Sequence, residues 1–319
     1  MRRFEPLFTN PHILTILGNF WPRTFDFTPY PVESQLFETE PGVQVLVQTQ
    51  RPRGTASAAI VIVHGLEGSG EAGYVRTISY AALQAGFIVH RFHMRTCGGT
   101  ERLCQTLYHA GLTSDLLAFL TSLVRQGTAP IFLVGFSLGG NVVLKLAGEL
   151  GEDASSLISG VCSISAPIDL AACARRMGRI DNRLYERRFV KRMRKRVFAT
   201  GRYKRQQLEA RSLYAFDDRV TAPSFGFRGA DHYYATQSAI GFLDGIRLPT
   251  LMIQAKDDTF IPFKSYDHPA FRNNPFLQLI ATEHGGHLGF LSRKSPRFWV
   301  DGRVIDWITE QLGKLRAGR

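Results

Sequence analysis

Gly135-Phe136-Ser137-Leu138-Gly139 sets a serine between small residues, directly after the apolar run Ile131 to Val134 and directly before the helix-compatible stretch Asn141 to Leu150. A serine hydroxyl is a weak nucleophile until a base takes its proton, and it must also stand clear of its own backbone. Strand, tight turn and helix in that order supply the second condition: the serine is held in a strained turn and its hydroxyl projects from the edge of a sheet. The Leu138 N–H, at the start of the helix, then faces a developing oxyanion.

Three further segments complete that chemistry. His64-Gly65-Leu66-Glu67-Gly68 follows the strand-like run Ala58 to Val63, where a second oxyanion donor is needed, and the Leu66 N–H is the candidate. His64 itself reads as structural. The orienting acid belongs at the end of a later strand, and Lys256-Asp257-Asp258 follows Leu251 to Ala255; spacing to Pro262 favours Asp258, leaving Asp257 to cap a turn. The base belongs in a loop before the last helix. His284-Gly285-Gly286-His287-Leu288-Gly289 offers two histidines, and Gly286 and Gly289 around His287 permit close backbone approach to an exposed imidazole, which favours His287 over His284. Ser137, Asp258 and His287 are thus the candidate catalytic residues, with Leu66 and Leu138 as oxyanion donors.

Other chemistries fit less well. The two histidines lack His-Glu-x-x-His spacing, a carboxylate at helical spacing or a cysteine pair, so no metal is expected. Gly68 to Gly73 lacks the Gly-Lys-Ser/Thr ending of a phosphate loop, and no cofactor is expected.

The elements that must position these residues alternate along the chain. Strands are predicted at Val43–Val47, Ala58–Val63, Phe87–Arg91, Ile131–Gly135, Val161–Ser165, Pro249–Ala255 and Phe276–Ala281. Helices are predicted at Tyr74–Ala85, Leu112–Gln126, Leu138–Leu150 and Val300–Leu315. This is the signature of a mostly parallel sheet flanked by helices, an α/β-hydrolase fold once the elbow is included. The alternation breaks once, at 168–238. The expected organisation is a core of 1–167 and 239–319, with an N-terminal extension of about 1–42, interrupted by a helical cap at 168–238.

At 319 residues, 44% hydrophobic and 21% charged, the chain has the composition of a globular protein with a large core. No apolar run reaches the roughly 20 residues of a membrane span, and the first ten residues lack the apolar stretch of a secretion signal. Four dispersed cysteines suit reduced thiols, so a cytoplasmic location, with a membrane-peripheral variant of it, is expected. The net charge of +12 lies in one segment: Arg175 to Arg205 holds fourteen Lys or Arg against two acids. Phe189, Met193 and Val197 recur there every four residues, giving an amphipathic helix with a basic face. Three readings compete: a solvated face, peripheral contact of 175–205 with an anionic membrane, and an acidic substrate or nucleic acid. Charge alone offers no nucleic-acid recognition motif, so nucleic acid is not expected.

These segments together resemble the YheT-like AB-hydrolases, related to the eukaryotic ABHD hydrolases. The likeness runs through Asn10-Pro11-His12 with Thr15, the His64 to Gly68 loop, Arg95 to Thr100, Tyr108 to Asp115, Gly135 to Asn141, Phe216-Asp217-Asp218, Lys256-Asp257-Asp258 and His284 to Phe290. The resemblance implies a triad at Ser137, Asp258 and His287, the choice already favoured by spacing, and esterase activity on short-chain or lipid-like acyl esters. Thr96 departs from the glycine expected in that Arg-Gly-Cys-Gly-Gly stretch. The expected activity is therefore that of a carboxylic-ester hydrolase acting on a small-molecule acyl ester. Acyl transfer from the same acyl-enzyme is the rival reaction, and a non-catalytic binding protein on this fold is the rival class.

Overall fold

A computed structural model describes residues 3–128, 130–204 and 208–317. Eight strands form one sheet: β1 (Glu33–Glu40), β2 (Val43–Gln50), β3 (Ala58–Val63), β4 (Phe87–Phe92), β5 (Ile131–Phe136), β6 (Gly160–Ile164), β7 (Thr250–Ala255) and β8 (Leu277–Thr282). Their order is β1-β2-β4-β3-β5-β6-β7-β8. β2 runs antiparallel to β1 and β4, and all pairs from β4 to β8 are parallel.

β3, β5, β6 and β7 are buried along their whole length, because helices cover both faces of a parallel sheet and leave no solvent side. Period-two alternation divides β3 between the layers: Ala59, Val61 and Val63 join one apolar cluster, and Ala58, Ile60 and Ile62 the other. The first cluster packs helices α3 (Ser114–Arg125) and α4 (Leu138–Leu150); the second packs α2 (Gly73–Gln84) and the C-terminal helix Trp299–Ala317. The nucleophile elbow falls between β5 and α4, at the centre of the sheet.

The predicted strands and helices are all present, with ends shifted by at most three residues. Of the elements that periodicity does not predict, two lie inside the expected extension at 1–42. Helix α1 (Pro11–Phe20) starts where the Asn10 side chain accepts the N–H groups of His12 and Ile13, with Pro11 at its first position. β1 reads Glu-Ser-Gln-Leu-Phe-Glu-Thr-Glu and is largely exposed; its polar residues suit an edge strand, which pairing with β2 specifies.

Between β6 and β7 the chain forms α5 (Leu170–Met177), a short 3₁₀ turn at Ile180–Asn182, α6 (Arg183–Ala199), α7 (Leu213–Phe216), a π-turn at Asp217–Thr221, α8 (Ala222–Ser224) and α9 (Ala230–Gln237). Helix α10 (Ala270–Asn273) precedes β8, and α11 (Trp299–Ala317) closes the chain. Met193 and Val197 of α6 are buried with Leu107, Phe216 and Val220, and Phe189 is partly buried. Arg196 does not lie on the basic outer face expected of α6. It is buried, because it has a carboxylate partner inside. Arg205, the last residue of the basic segment, lies outside the described residues.

Candidate active site

Ser137 adopts φ +50° and ψ −121°, a conformation that costs an L-residue energy and persists only where the surroundings enforce it. Two glycines do so here. A Cβ on Gly139 would sit 2.3 Å from the Val63 carbonyl oxygen, and one on Gly135 would sit 2.4 Å from that of Gly139. At Gly135 and Gly139 the strand-to-helix turn therefore packs too tightly for any side chain, and the Ser137 backbone N–H donates to the Ile164 carbonyl at 2.8 Å.

Ser137 Oγ lies 2.9 Å from His287 Nε2, and His287 Nδ1 lies 3.0 Å from Asp258 Oδ2. An ionised carboxylate only accepts, so Nδ1 carries the proton and Nε2 is left to accept the serine hydroxyl. Asp258 is fixed from its own loop: Oδ1 accepts the N–H groups of Phe260 and Ile261 at 2.8 and 3.1 Å, and Oδ2 also accepts Gln254 Nε2 at 3.1 Å. The His287 side chain packs against the Phe260 ring, with centroids 4.4 Å apart. Its backbone N–H donates to Thr15 Oγ at 2.9 Å, and that hydroxyl donates to the Pro11 carbonyl at 2.7 Å. Helix α1 is thus a buttress for the histidine loop, and Gly18 meets Gly289 with no room for a methyl group between them.

The neighbouring aspartate and histidine pair with each other. Asp257 accepts His284 Nδ1 at 3.1 Å and the Gly286 N–H at 2.9 Å, bracing the turn that carries His287. The geometry brings together Ser137, Asp258 and His287, and leaves Asp257 and His284 outside that line.

The loop after β3 lies against Ser137: a Cβ on Gly65 would be 3.1 Å from Ser137 Cβ. Its amides are held one by one. The Gly65 N–H donates to the Tyr74 hydroxyl and the Glu67 N–H to the Tyr108 hydroxyl, each at 2.9 Å. His64 is buried, bonded through Nδ1 to the Gly65 carbonyl and through Nε2 to the Met94 N–H, and burial pushes it down to about 3. It is neutral and structural, as its sequence position suggests. Leu66 lies between the two phenol-bound amides, and no hydrogen bond among the described residues engages its N–H.

Glu67, at φ +55°, ties this loop to α6. Arg196 Nε meets its carboxylate at 2.7 Å, Tyr108 donates to the same oxygen at 3.1 Å, and Arg192 donates to the Glu67 carbonyl. Arg196 also stacks over the Tyr108 ring at 4.5 Å and donates to Thr96 Oγ at 2.6 Å. The basic segment and the odd threonine therefore meet at the loop bearing Leu66. Sequence reasoning missed Thr15, Tyr74, Tyr108 and Arg196; all but Tyr74 and Arg196 stand in motifs noted for resemblance alone, whose role only the folded geometry displays.

Two cavities meet at Ser137. One, of about 110 Å³, lies beneath the β6–β7 connection, with walls that include Leu170, Met177, Phe189, Met193, Tyr233 and Ile261. Asp217 faces it, largely enclosed by protein and holding bonds from Thr221 and Tyr234, each at 2.7 Å; burial pushes its carboxyl up to about 6. The other cavity, of about 320 Å³, opens between α1 and α6 and carries Arg188, Arg192 and Tyr185 on its walls. Among the described residues no group of three His, Cys, Asp or Glu could hold a metal ion.

Residues 58–294 match the family described as the alpha/beta hydrolase fold. The chain is also 34% identical over 318 residues to the Escherichia coli (strain K12) protein named "Putative esterase YheT", covering 96% of this chain and 92% of that one. The chain is a YheT-like α/β hydrolase. More distant members of the family include the mouse phospholipase ABHD3, 27% identical over 75% of this chain and 59% of that one, and the monoacylglycerol lipase of Saccharomyces cerevisiae, 27% identical over 76% of this chain and 57% of that one. Among solved structures, the Pyrococcus furiosus esterase Pf2001 shares the fold, with a TM-score of 0.61 at 16% identity over 90% of this chain and 96% of that one.

Proposed function

We propose that this YheT-like hydrolase cleaves carboxylic esters through an acyl-enzyme formed on Ser137. The observation that carries the reading is the unbroken line Asp258–His287–Ser137, at 3.0 and 2.9 Å. His287 takes the hydroxyl proton as Ser137 Oγ attacks the acyl carbonyl; Asp258 holds the tautomer and stabilises the imidazolium. The N–H groups of Leu66 and Leu138 stabilise the tetrahedral oxyanion. Its collapse breaks the C–O bond, and His287 returns the proton to the departing alcohol. Water, deprotonated by His287, then attacks the acyl-enzyme and releases the acid and the free serine.

In this reading the insertion at 168–238 is a cap, supported by the walls it gives the smaller cavity. The acyl chain occupies that apolar cavity and the alcohol leaves through the wider one. The names of the relatives, an esterase, a phospholipase and a monoacylglycerol lipase, favour a small acyl ester, including lipid-like ones, as the substrate. Contact of the basic segment with an anionic membrane belongs to the same reading, supported by the charge excess at 175–205.

The test is labelling of purified protein with a fluorophosphonate probe, beside turnover of p-nitrophenyl esters from acetate to palmitate, for wild type and Ser137→Ala. Both signals are expected to vanish in the variant. A wild type that neither labels nor turns over any ester overturns the reading.

A further inference from the structure

Helix α1 buries Leu14, Thr15 and Gly18 against the histidine loop and turns an apolar stripe outward. Ile13, Ile16 and Phe20 stand at helical spacing on that outer face, with Phe20 61% exposed. A second apolar group lies at the start of α6, where Ile180 is 86% and Leu184 79% exposed. The two helices are joined along one edge. The His12 and Tyr185 rings stack at 5.8 Å and the Arg188 guanidinium lies 5.4 Å over the Phe20 ring. The wider cavity opens between them, with Ile16, Phe20 and Arg188 at its mouth and Ser137 at its floor.

Around this apolar surface the unpaired charge is of one sign. Arg179, Arg183, Arg187, Arg188 and Lys191 have no ion pair with a carboxylate among the described residues, whereas the nearby acid Asp181 is already bound by Arg176 at 2.7 Å. Exposed large apolar side chains interleaved with unpaired cations are what an amphipathic element presents to the headgroup region of an anionic bilayer. A second copy of the chain, docked face to face, would bring five cations against five and is disfavoured by that charge.

We infer that the joint face of α1 and the start of α6 docks on an anionic lipid surface, so that the mouth of the cavity leading to Ser137 faces the membrane. The inference rests on the ester-hydrolase reading and deepens it: the ester reaches the serine from the bilayer through that mouth. The apolar groups enter the acyl boundary, the arginines neutralise headgroups, and α1 supplies half of the contact. The basic segment alone does not.

The test uses full-length Ser137→Ala, which leaves lipid intact, and sucrose-loaded vesicles of phosphatidylcholine alone or with one third phosphatidylglycerol. Sedimentation with the anionic vesicles, weaker with neutral ones and reversed by salt, is expected. Adding Ile13→Ser on α1, or Ile180→Ser with Leu184→Ser before and within α6, lowers the partition coefficient by at least about tenfold in each case. The same substitutions in the Ser137 background leave turnover of a water-soluble p-nitrophenyl ester unchanged. Equal partition into neutral and anionic vesicles overturns the inference, as does undiminished binding of either apolar variant or a dimer that these substitutions dissociate. Loss of soluble-ester turnover in the Ser137 parent overturns the hydrolase reading instead, and the vesicle result with Ser137→Ala is read independently of it.

Discussion

Arg196 of α6 and Glu67 of the loop after β3 form an ion pair at 2.7 Å with both side chains buried, 129 residues apart in sequence. The pair joins the proposed cap to the loop that carries Leu66, the proposed oxyanion donor. Burial opposes the charge on Arg196, and the carboxylate beside it more than restores it, holding the guanidinium above its ordinary range. Glu67 is equally committed, accepting Tyr108 on the same oxygen.

Removing one partner leaves the other charged, buried and unpaired. Arg196→Met is therefore expected to lower unfolding free energy by about 3–5 kcal/mol, measured by urea denaturation. Arg196→Met with Glu67→Gln is expected to be more stable than Arg196→Met alone, since the orphaned charge is gone. Both variants should lose kcat on p-nitrophenyl esters more than they raise KM, because in the proposed mechanism the loop stabilises the oxyanion of the transition state. A double variant no better than the single one would refute the pairing argument.

Thr96 holds φ +59°, where a β-branched residue is strained, and its hydroxyl accepts Arg196 Nη1 at 2.6 Å. The threonine standing in place of the expected glycine thus exchanges backbone strain for an acceptor at a buried cation. Thr96→Ala loses the acceptor and keeps the strain; Thr96→Gly loses the acceptor and relieves it. The glycine variant is expected to be more stable than the alanine variant by roughly 1 kcal/mol in the same denaturation assay.

What the sequence disclosed follows from how local each signal is. The elbow at Ser137 is readable because strand, turn and helix are contiguous, and the buried strands because runs such as Ala58 to Val63 admit no solvent face. The choice of Asp258 over Asp257 and of His287 over His284 rested on neighbouring glycines and a proline, which are also local. The Thr15 bond to His287 spans 272 residues, and the Arg196 bond to Glu67 joins a surface-like basic run to a glycine-rich turn. No periodicity carries such information. Arg196 looks like its neighbours until the fold buries it, and β1 shows no alternation because pairing with β2 alone defines it.

Thr15 acts on the proposed reaction through the His287 backbone, as a positioning residue. Its hydroxyl fixes the His287 backbone while donating to Pro11, so Thr15→Val keeps the shape and removes both bonds. Loss of about 1–1.5 kcal/mol of support is expected to lower kcat by about tenfold, with KM within about twofold. Thr15→Ser, which retains the hydroxyl, should recover most of the rate. A serine variant as slow as the valine variant would mean that packing of α1, not the bond, matters.

Asp217 gives the smaller cavity a pH dependence with a definite sign. Its carboxyl is pushed up to about 6 by burial, above its ordinary value of 3.8, so between those limits the folded protein binds more protons than the unfolded chain. Its contribution to stability is fully present below pH 3.8 and is lost as pH rises through about 6. Urea midpoints of wild type should include that decline and flatten above it; Asp217→Asn should lack it, while still accepting one of the bonds from Thr221 and Tyr234. The same titration bears on selectivity. Below pH 6 the Asp217 carboxyl is neutral and an alkyl chain meets less ordered water beside it, so the ratio of kcat/KM for the octanoate ester to that for the acetate ester is expected to rise as pH falls from 7.5 to 5. Taking a ratio cancels protonation of the catalytic base, which affects both esters alike. A ratio equally pH-dependent in Asp217→Asn would place the titrating group elsewhere.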